Sequence, residues 1–142
     1  MRAEVVDVPI ETESLIAEVA RETNGATAVF LGTVRSNNDG RDVTGIEYSA
    51  YREMAVSEMS AILIEARERF QIDDAVAIHR VGTLGVGEVS IAIVVAAPHR
   101  AAAFDSLRHV VEETKRRAPI WKLEHYVDGT REWVGASTRS VP

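Results

Sequence analysis

Two lysines in one short segment, Lys115 and Lys122, are the side chains of this sequence best suited to carry chemistry. They are the only lysines among 142 residues, which include fourteen arginines, and they frame the segment KRRAPIWK. Arginine keeps its proton near neutral pH, whereas a partly desolvated lysine can become a free amine. The pairing therefore indicates a need for an amine or ammonium group. A lysine at a helix C-terminus followed by a solvated strand lysine would also fit the spacing.

Lys115 is expected near the end of a helix predicted over residues 100–117, at the border of its apolar face. At about 100° per residue it lies about 20° from Phe104 around the helix. Apolar contact and the neighbouring Arg116 and Arg117 would lower the pKa of Lys115, whereas the helix C-terminal dipole acts in the opposite direction. The apolar face is predicted to contain Phe104, Leu107, Val110, Val111 and Thr114.

Lys122 and the start of the same helix supply further candidates. In a strand predicted over residues 120–127, alternation places Lys122 on the open face, opposite Trp121 and Leu123. His99 and Arg100 precede free backbone N–H groups and could bind an anion there, although His99 could simply cap the helix. Fifteen residues of helix, about 22 Å, separate Arg100 from Lys115. If both act on one substrate, Arg100 must serve Lys115 of a second subunit, which predicts a dimer.

The remaining candidates are weaker. Arg35 ends a strand predicted over residues 26–35 and could overhang a cleft or simply be solvated. We interpret His79 as structural. The histidines at positions 79, 99, 109 and 125 include no i, i+4 pair of histidines accompanied by a nearby carboxylate, so no metal site is expected. The glycine-rich segment 82–88 precedes a strand rather than a helix, and we predict a turn instead of a dinucleotide site.

Composition limits the function classes. The apolar fraction of 46% and the length predict one globular domain over residues 1–136, with a frayed tail at 137–142. The absence of cysteine excludes disulfides and thiolate chemistry. A net charge of −6 argues against nucleic-acid binding, whereas a local basic cluster suits a small anion. No membrane span or signal sequence is evident, which predicts a soluble, cytoplasmic protein.

Periodicity predicts an α+β fold with three helices and a largely antiparallel sheet. Residues 26–35 and 43–51 should form one hairpin, and residues 120–127 and 132–134 another. The other predicted elements are helices at 12–23, 54–70 and 100–117, and strands at 75–81 and 89–97.

The sequence resembles the catalytic (large) subunit of molybdopterin synthase over about residues 26–136. The matching segments, in family order, are FLGTVR at 30–35, NDG at 38–40, YSAY at 48–51, HRVGTLGVGE at 79–88, PHRAAAF at 98–104, KRRAPIWK at 115–122, DG at 128–129 and WV at 133–134. The double-lysine segment is the most specific. The resemblance implies an α/β hammerhead-like fold with an added small antiparallel subdomain.

The resemblance also implies a reaction, in which cyclic pyranopterin monophosphate (precursor Z) receives two sulfurs to form the dithiolene of molybdopterin. Sulfur would come from the C-terminal Gly-Gly thiocarboxylate of a small ubiquitin-like partner, with no cofactor. The implied assembly is a central homodimer with a small subunit at each end, a heterotetramer. The implied site residues are catalytic Lys115 and Lys122 and substrate-binding Thr33, Val34, Arg35, His99, Arg100, Leu123 and Glu124, with His99 and Arg100 crossing the dimer.

Two points qualify this interpretation. Some relatives carry a phosphate-binding arginine shortly after the Trp-Val pair, where the nearest candidates here are Ser137 and Arg139. The competing class is a non-catalytic dimeric α+β module that binds a small anion or a partner tail.

Overall fold

The computed structural model describes residues 1–134, which form three helices and nine strands in two sheets. The helices are α1 (Thr12–Val19), α2 (Arg52–Arg69) and α3 (Arg100–Arg117). The strands are β1 (Arg2–Val6), β2 (Ala26–Thr33), β3 (Asn37–Asn38), β4 (Arg41–Ala50), β5 (Asp74–Arg80), β6 (Gly82–Gly85), β7 (Val89–Ala97), β8 (Ile120–Tyr126) and β9 (Arg131–Val134). The predicted α+β class is confirmed, because every strand pair except β1–β5 is antiparallel.

The first sheet has the order β1-β5-β7-β2 and carries the main core. Its central strand β7 is almost wholly buried and rich in β-branched residues, as expected for a strand covered on both faces. On one face Ile93 and Val95 pack with Met59 of α2 and Val110 of α3. On the other face the alternate residues of β7 pack against α1.

The second sheet has the order β3-β4-β8-β9, with β6 added beside β4, and here two sequence predictions are wrong. Residues 26–35 do not form a hairpin with 43–51, because β2 pairs with β7 and β4 makes its own tight hairpin with β3. Asp39 and Gly40 both have positive φ there, as a two-residue hairpin turn requires. The segment predicted as a turn contains β6, which approaches β4 closely at Gly45, where a Cβ would lie 2.8 Å from the Leu84 carbonyl oxygen.

Helix α3 has the predicted bounds but a different buried face. Its fully buried side chains are the small or medium-sized Ala103, Ser106, Val110 and Thr114, because the helix packs closely on β2, β7 and α2. Phe104 is 64% exposed, which corrects the predicted apolar face. The predicted angular relation between Phe104 and Lys115 still holds, so both lie on the exposed flank of the helix.

A short connection joins α3 to the second sheet. Ala118 and the fully buried Pro119 separate the last turn of α3 from β8, so Lys115 and Lys122 are brought to the same end of the molecule. Within residues 1–134 no helix combines the length and apolar character needed to cross a membrane.

Candidate active site

A cleft of about 640 Å³ lies where the C-terminal end of α3 meets both sheets. Four of the predicted site residues line it: Thr33, Arg35, Lys115 and Lys122. The other lining residues are Gly32, Tyr48, His79, Ser90, Ile91, Glu112, Thr114, Arg116, Ala118, Ile120 and Trp121. Folding therefore gathers the paired lysines and the strand-end arginine around one cavity.

Lys122 is the more desolvated lysine of the pair. Its side chain is 34% exposed, less open than its position in the strand predicted, and burial lowers its pKa. The positive charges of Lys115 and Arg35 act in the same direction. The carboxylate of Glu124, 4.0 Å from the Lys122 Nζ, acts in the opposite direction. The result is an amine that releases its proton more readily than a solvated lysine does.

Lys115 occupies a more open position than the sequence predicted. The residue is exposed, and its Nζ lies 5.6 Å from the centre of the Phe30 ring. The guanidinium groups of Arg116 and Arg117 are paired with glutamates, so their charge is partly compensated. The desolvation expected for Lys115 is thus greater at Lys122. Lys115 keeps a cation–π contact and access to solvent.

The end of β2 determines how residues 33–35 face the cleft. A register shift between Gly32 and Thr33 breaks the alternation with β7. Thr33 and Arg35 are exposed and line the cleft, whereas Val34 is 3% exposed and its N–H donates to the Glu88 carbonyl. Val34 therefore fixes this segment by packing and does not present its side chain to the cleft.

Glu124 lies behind Lys122 and does not line the cleft. It is 4% exposed, and its carboxylate accepts hydrogen bonds from Asn38 Nδ2 at 2.6 Å and Tyr126 Oη at 2.9 Å. These donors satisfy a buried charge that would otherwise be costly. Leu123 is half-buried and also lies outside the lining residues. Both residues thus support β8 around Lys122 in this chain.

His99 and Arg100 lie far from this cleft. Both are exposed at the N-terminal end of α3, and the His99 side chain makes no capping hydrogen bond. The 18-residue helix places them about 22 Å from Lys115. Their participation through a second subunit stays a prediction. Ser137 and Arg139, the candidates for a phosphate contact, lie outside the described residues.

The floor of the cleft contains residues that the sequence did not single out as functional. His79, interpreted as structural, is 7% exposed and does line the cleft. Its Nδ1 donates to the Arg80 carbonyl at 2.8 Å, and its ring meets Tyr48 edge-on at 5.0 Å. Burial, aided by the charges of both lysines, lowers its pKa to about 4. Only tertiary packing across the two sheets reveals this placement.

The electrostatics of the cleft suit an anion. Arg35 and Lys115 have no carboxylate within salt-bridge distance among residues 1–134, and Lys122 has only the distant Glu124. His79 is neutral at pH 7, and burial raises the pKa of Tyr48, so the floor is uncharged. In the described part of the chain no three potential metal ligands converge. The cleft can therefore hold a small anion and exchange protons with it.

Comparison with known proteins agrees with this geometry. The family model described as MoaE protein matches residues 5–117. The molybdopterin synthase catalytic subunit of Pyrococcus abyssi is 45% identical over 130 residues, which cover 92% of this chain and 86% of that protein. The crystal structure of molybdopterin synthase from Staphylococcus aureus superposes with a TM-score of 0.88 at 33% identity, over 93% of this chain and 96% of the other.

A second solved structure extends the comparison of folds. The complex of subunits 1 and 2 of molybdopterin-converting factor from Helicobacter pylori matches with a TM-score of 0.75 over 99% of this chain and 93% of the other. At 22% identity this likeness shows the fold alone. The family match and the close relative are decisive: the chain belongs to the MoaE family, the enzymes that form the catalytic subunit of molybdopterin synthase.

Proposed function

We propose that this chain transfers sulfur from the C-terminal thiocarboxylate of a small ubiquitin-like subunit to cyclic pyranopterin monophosphate. The observation that carries the proposal is the position of Lys115 and Lys122, the only two lysines of the sequence, in the wall of one anion-binding cleft. Family membership supplies the reaction, and the cleft supplies side chains suited to it.

The positively charged side chains of the cleft can bind the two anionic groups of the reactants. Arg35 and Lys115 are exposed cations that can bind the substrate's phosphate and the approaching thiocarboxylate. Lys115 lies at the more open position, where a narrow Gly-Gly tail can enter. Thr33 adds a hydroxyl at the same wall.

We propose that both amines transfer protons: the ammonium of Lys115 can donate one to the oxygen that leaves the substrate, and the more buried Lys122 can accept one. Each transfer replaces a carbon–oxygen bond of the substrate, whose oxygen leaves with a proton, by a carbon–sulfur bond. It breaks the carbon–sulfur bond of the thiocarboxylate, whose carbonyl carbon gains oxygen from water. The attacking water must lose a proton. Lys122, whose pKa is lowered by burial, can exchange protons near neutral pH more readily than a solvated lysine. Glu124 and its hydrogen-bond donors hold the strand that positions it.

We further propose that a second copy of the chain completes the site with His99 and Arg100. Neither residue reaches the cleft of its own chain, and both are solvent-exposed. Exposed apolar side chains on α3 and on the edge strand β2 favour such a dimer, among them Phe104 at 64%, Leu31 at 41% and Val29 at 38% exposure.

The proposal is tested by reconstitution. The purified chain, mixed with precursor Z and a small subunit carrying a C-terminal Gly-Gly thiocarboxylate, should form molybdopterin, detected by mass spectrometry as the dithiolene. A small subunit ending in an ordinary carboxylate is the matched control and should give none. Tight binding of the small subunit without any sulfur transfer would favour a non-catalytic binding module and contradict the proposal.

A further inference from the structure

We propose that His79 is a third functional side chain of the cleft, a neutral imidazole that takes up a proton when an anion binds beside Lys115 and Lys122. This inference requires only that the cleft accepts an anion, and it does not depend on the sulfur-transfer step.

The geometry leaves one nitrogen of His79 available to the cleft. Nδ1 donates to the Arg80 carbonyl, which fixes the neutral tautomer with its lone pair on Nε2. Within residues 1–134 no hydrogen bond engages Nε2, and the residue lines the cleft. Tyr48 packs edge-on against the ring and restricts its rotation. The base is therefore held in one orientation.

The charges around His79 explain why it is neutral before ligand binds. Burial disfavours the imidazolium, and the ammonium groups of Lys115 and Lys122 disfavour it further. The carboxylate of Glu124, 4.0 Å from the Lys122 Nζ, offsets part of the charge of that lysine. The other titratable or charged groups on the packed elements are Arg35 beyond β2, Tyr48 on β4, Arg80 on β5, Glu88 before β7, and Glu112 and Arg116 on α3.

An incoming anion reverses this balance. Two negative charges placed among Arg35, Lys115 and Lys122 cancel the positive field that acts on the ring. By Coulomb's law a dianion about 5 Å away stabilises the imidazolium by more than 1 kcal/mol even at the dielectric constant of water, which raises proton affinity about tenfold or more. Anion binding and proton uptake are then linked, each favouring the other.

The experiment uses sulfate as the probe, since its charge stays at −2 across the pH range in which phosphate would itself titrate. The full chain, labelled with ¹³C and ¹⁵N at histidine, is studied by NMR from pH 5.5 to 7.5, above its isoelectric point of about 5.2. Spectra in sulfate and in chloride are compared at equal ionic strength. The His79→Gln variant identifies the His79 resonances. His109, packed against Phe70 away from the cleft, is the internal reference.

In chloride His79 should remain the neutral Nδ1–H tautomer over this range. With saturating sulfate its proton affinity should rise at least tenfold, so that roughly a quarter of the imidazole is protonated at pH 5.5. The His109 signal should not respond. The Lys122→Gln variant should raise the proton affinity of His79 in chloride and reduce the effect of sulfate, because one of the opposing charges is gone.

Two results would overturn the proposal. In the first, sulfate shifts the backbone amides of Thr33 and Lys122, proving that it binds, while the His79 spectra stay identical to those in chloride. In the second, sulfate leaves these amides unchanged, which removes the anion site itself. Reconstituted sulfur transfer could still succeed in either case, so failure here is distinguishable from failure of the proposed function.

Discussion

At the scale of single residues, the cleft depends on a half-buried amine and a buried carboxylate. Lys122 and Glu124 lie 4.0 Å apart on β8, close enough to influence each other without a direct hydrogen bond. Asn38 and Tyr126 donate hydrogen bonds to the Glu124 carboxylate and hold it in place beside Lys122. The protonation state of Lys122 is therefore adjustable through a neighbour that never touches the cleft.

The Glu124→Gln substitution should shift the pH dependence of sulfur transfer. The glutamine keeps an oxygen to accept from Asn38 and Tyr126 but removes the charge that raises the pKa of Lys122. That pKa, already lowered by burial, should fall further, by roughly one unit for a charge at this distance. The acid limb of the kcat/KM profile, where protonation removes the free amine that accepts the proton of the water, should move to lower pH by a similar amount. An unmoved acid limb would show that Lys122 does not titrate in the reaction.

Sequence alone could predict the residues with unusual chemistry but not their degree of burial. The rarity of lysine and the spacing of Lys115 and Lys122 identified both walls of the cleft. The sequence predicts Lys115 as the more desolvated of the two, but Lys122 is the more buried, because a local pattern does not reveal which distant elements cover a side chain. His79 was overlooked as a cleft residue for a related reason. The Tyr48 ring that packs against it and the two lysines whose charges act on it lie on β4, α3 and β8, none of which is near it in sequence.

At the scale of helices and strands, the site depends on the connection between α3 and β8 and on a close backbone contact near the start of α3. The two-residue connection between α3 and β8 fixes the distance between the lysines. At the opposite end of α3, Gly25 donates its N–H to the Ala97 carbonyl, and a Cβ there would lie 2.2 Å from the Pro98 carbonyl oxygen. The start of β2 thus abuts the segment that leads into His99 and Arg100.

Gly25→Ala should destabilise the protein by about 1–3 kcal/mol, because the added methyl group must displace rigid backbone. Thr27→Ala, at an exposed position of β2 two residues further on, is the matched control and should change the free energy of unfolding by about 0.5 kcal/mol or less. Urea unfolding followed by circular dichroism measures both. Equal stability of the two variants would mean that the approach to Pro98 is not tight in solution.

The elements themselves were more predictable than their pairing. Helix α3 and the β8–β9 hairpin follow the sequence pattern because proline, glycine and local periodicity mark their limits. The partner of β2 did not follow from proximity in sequence. Strand β2 pairs with β7, which carries buried core side chains such as Ile93 and Val95 and whose paired residues lie 56 to 71 positions further along the chain. Long-range burial of this kind leaves no local signal.

At the scale of the whole molecule, the proposed site is complete only in a dimer. One chain supplies Arg35 and the lysines, and the start of α3 in a second chain would supply His99 and Arg100. This arrangement predicts complementation between Lys115→Ala and Arg100→Ala, each inactive alone. Random exchange makes half of the dimers mixed, and each mixed dimer has one intact site out of two, so roughly a quarter of wild-type activity should return. No recovery despite exchange demonstrated by native mass spectrometry would contradict a shared site.

The central claim is that Lys115 acts through its amine as well as its charge, and the Lys115→Arg variant tests it most directly. Arginine preserves the cation and its contact with the Phe30 ring but cannot release a proton near neutral pH. Arg67→Gln, at an exposed position of α2 outside the cleft, is the control for a surface change. Single-turnover sulfur transfer should fall at least about a hundredfold in Lys115→Arg, with unchanged circular dichroism and partner binding, and stay normal in the control. Wild-type transfer by Lys115→Arg would contradict the catalytic role of this lysine.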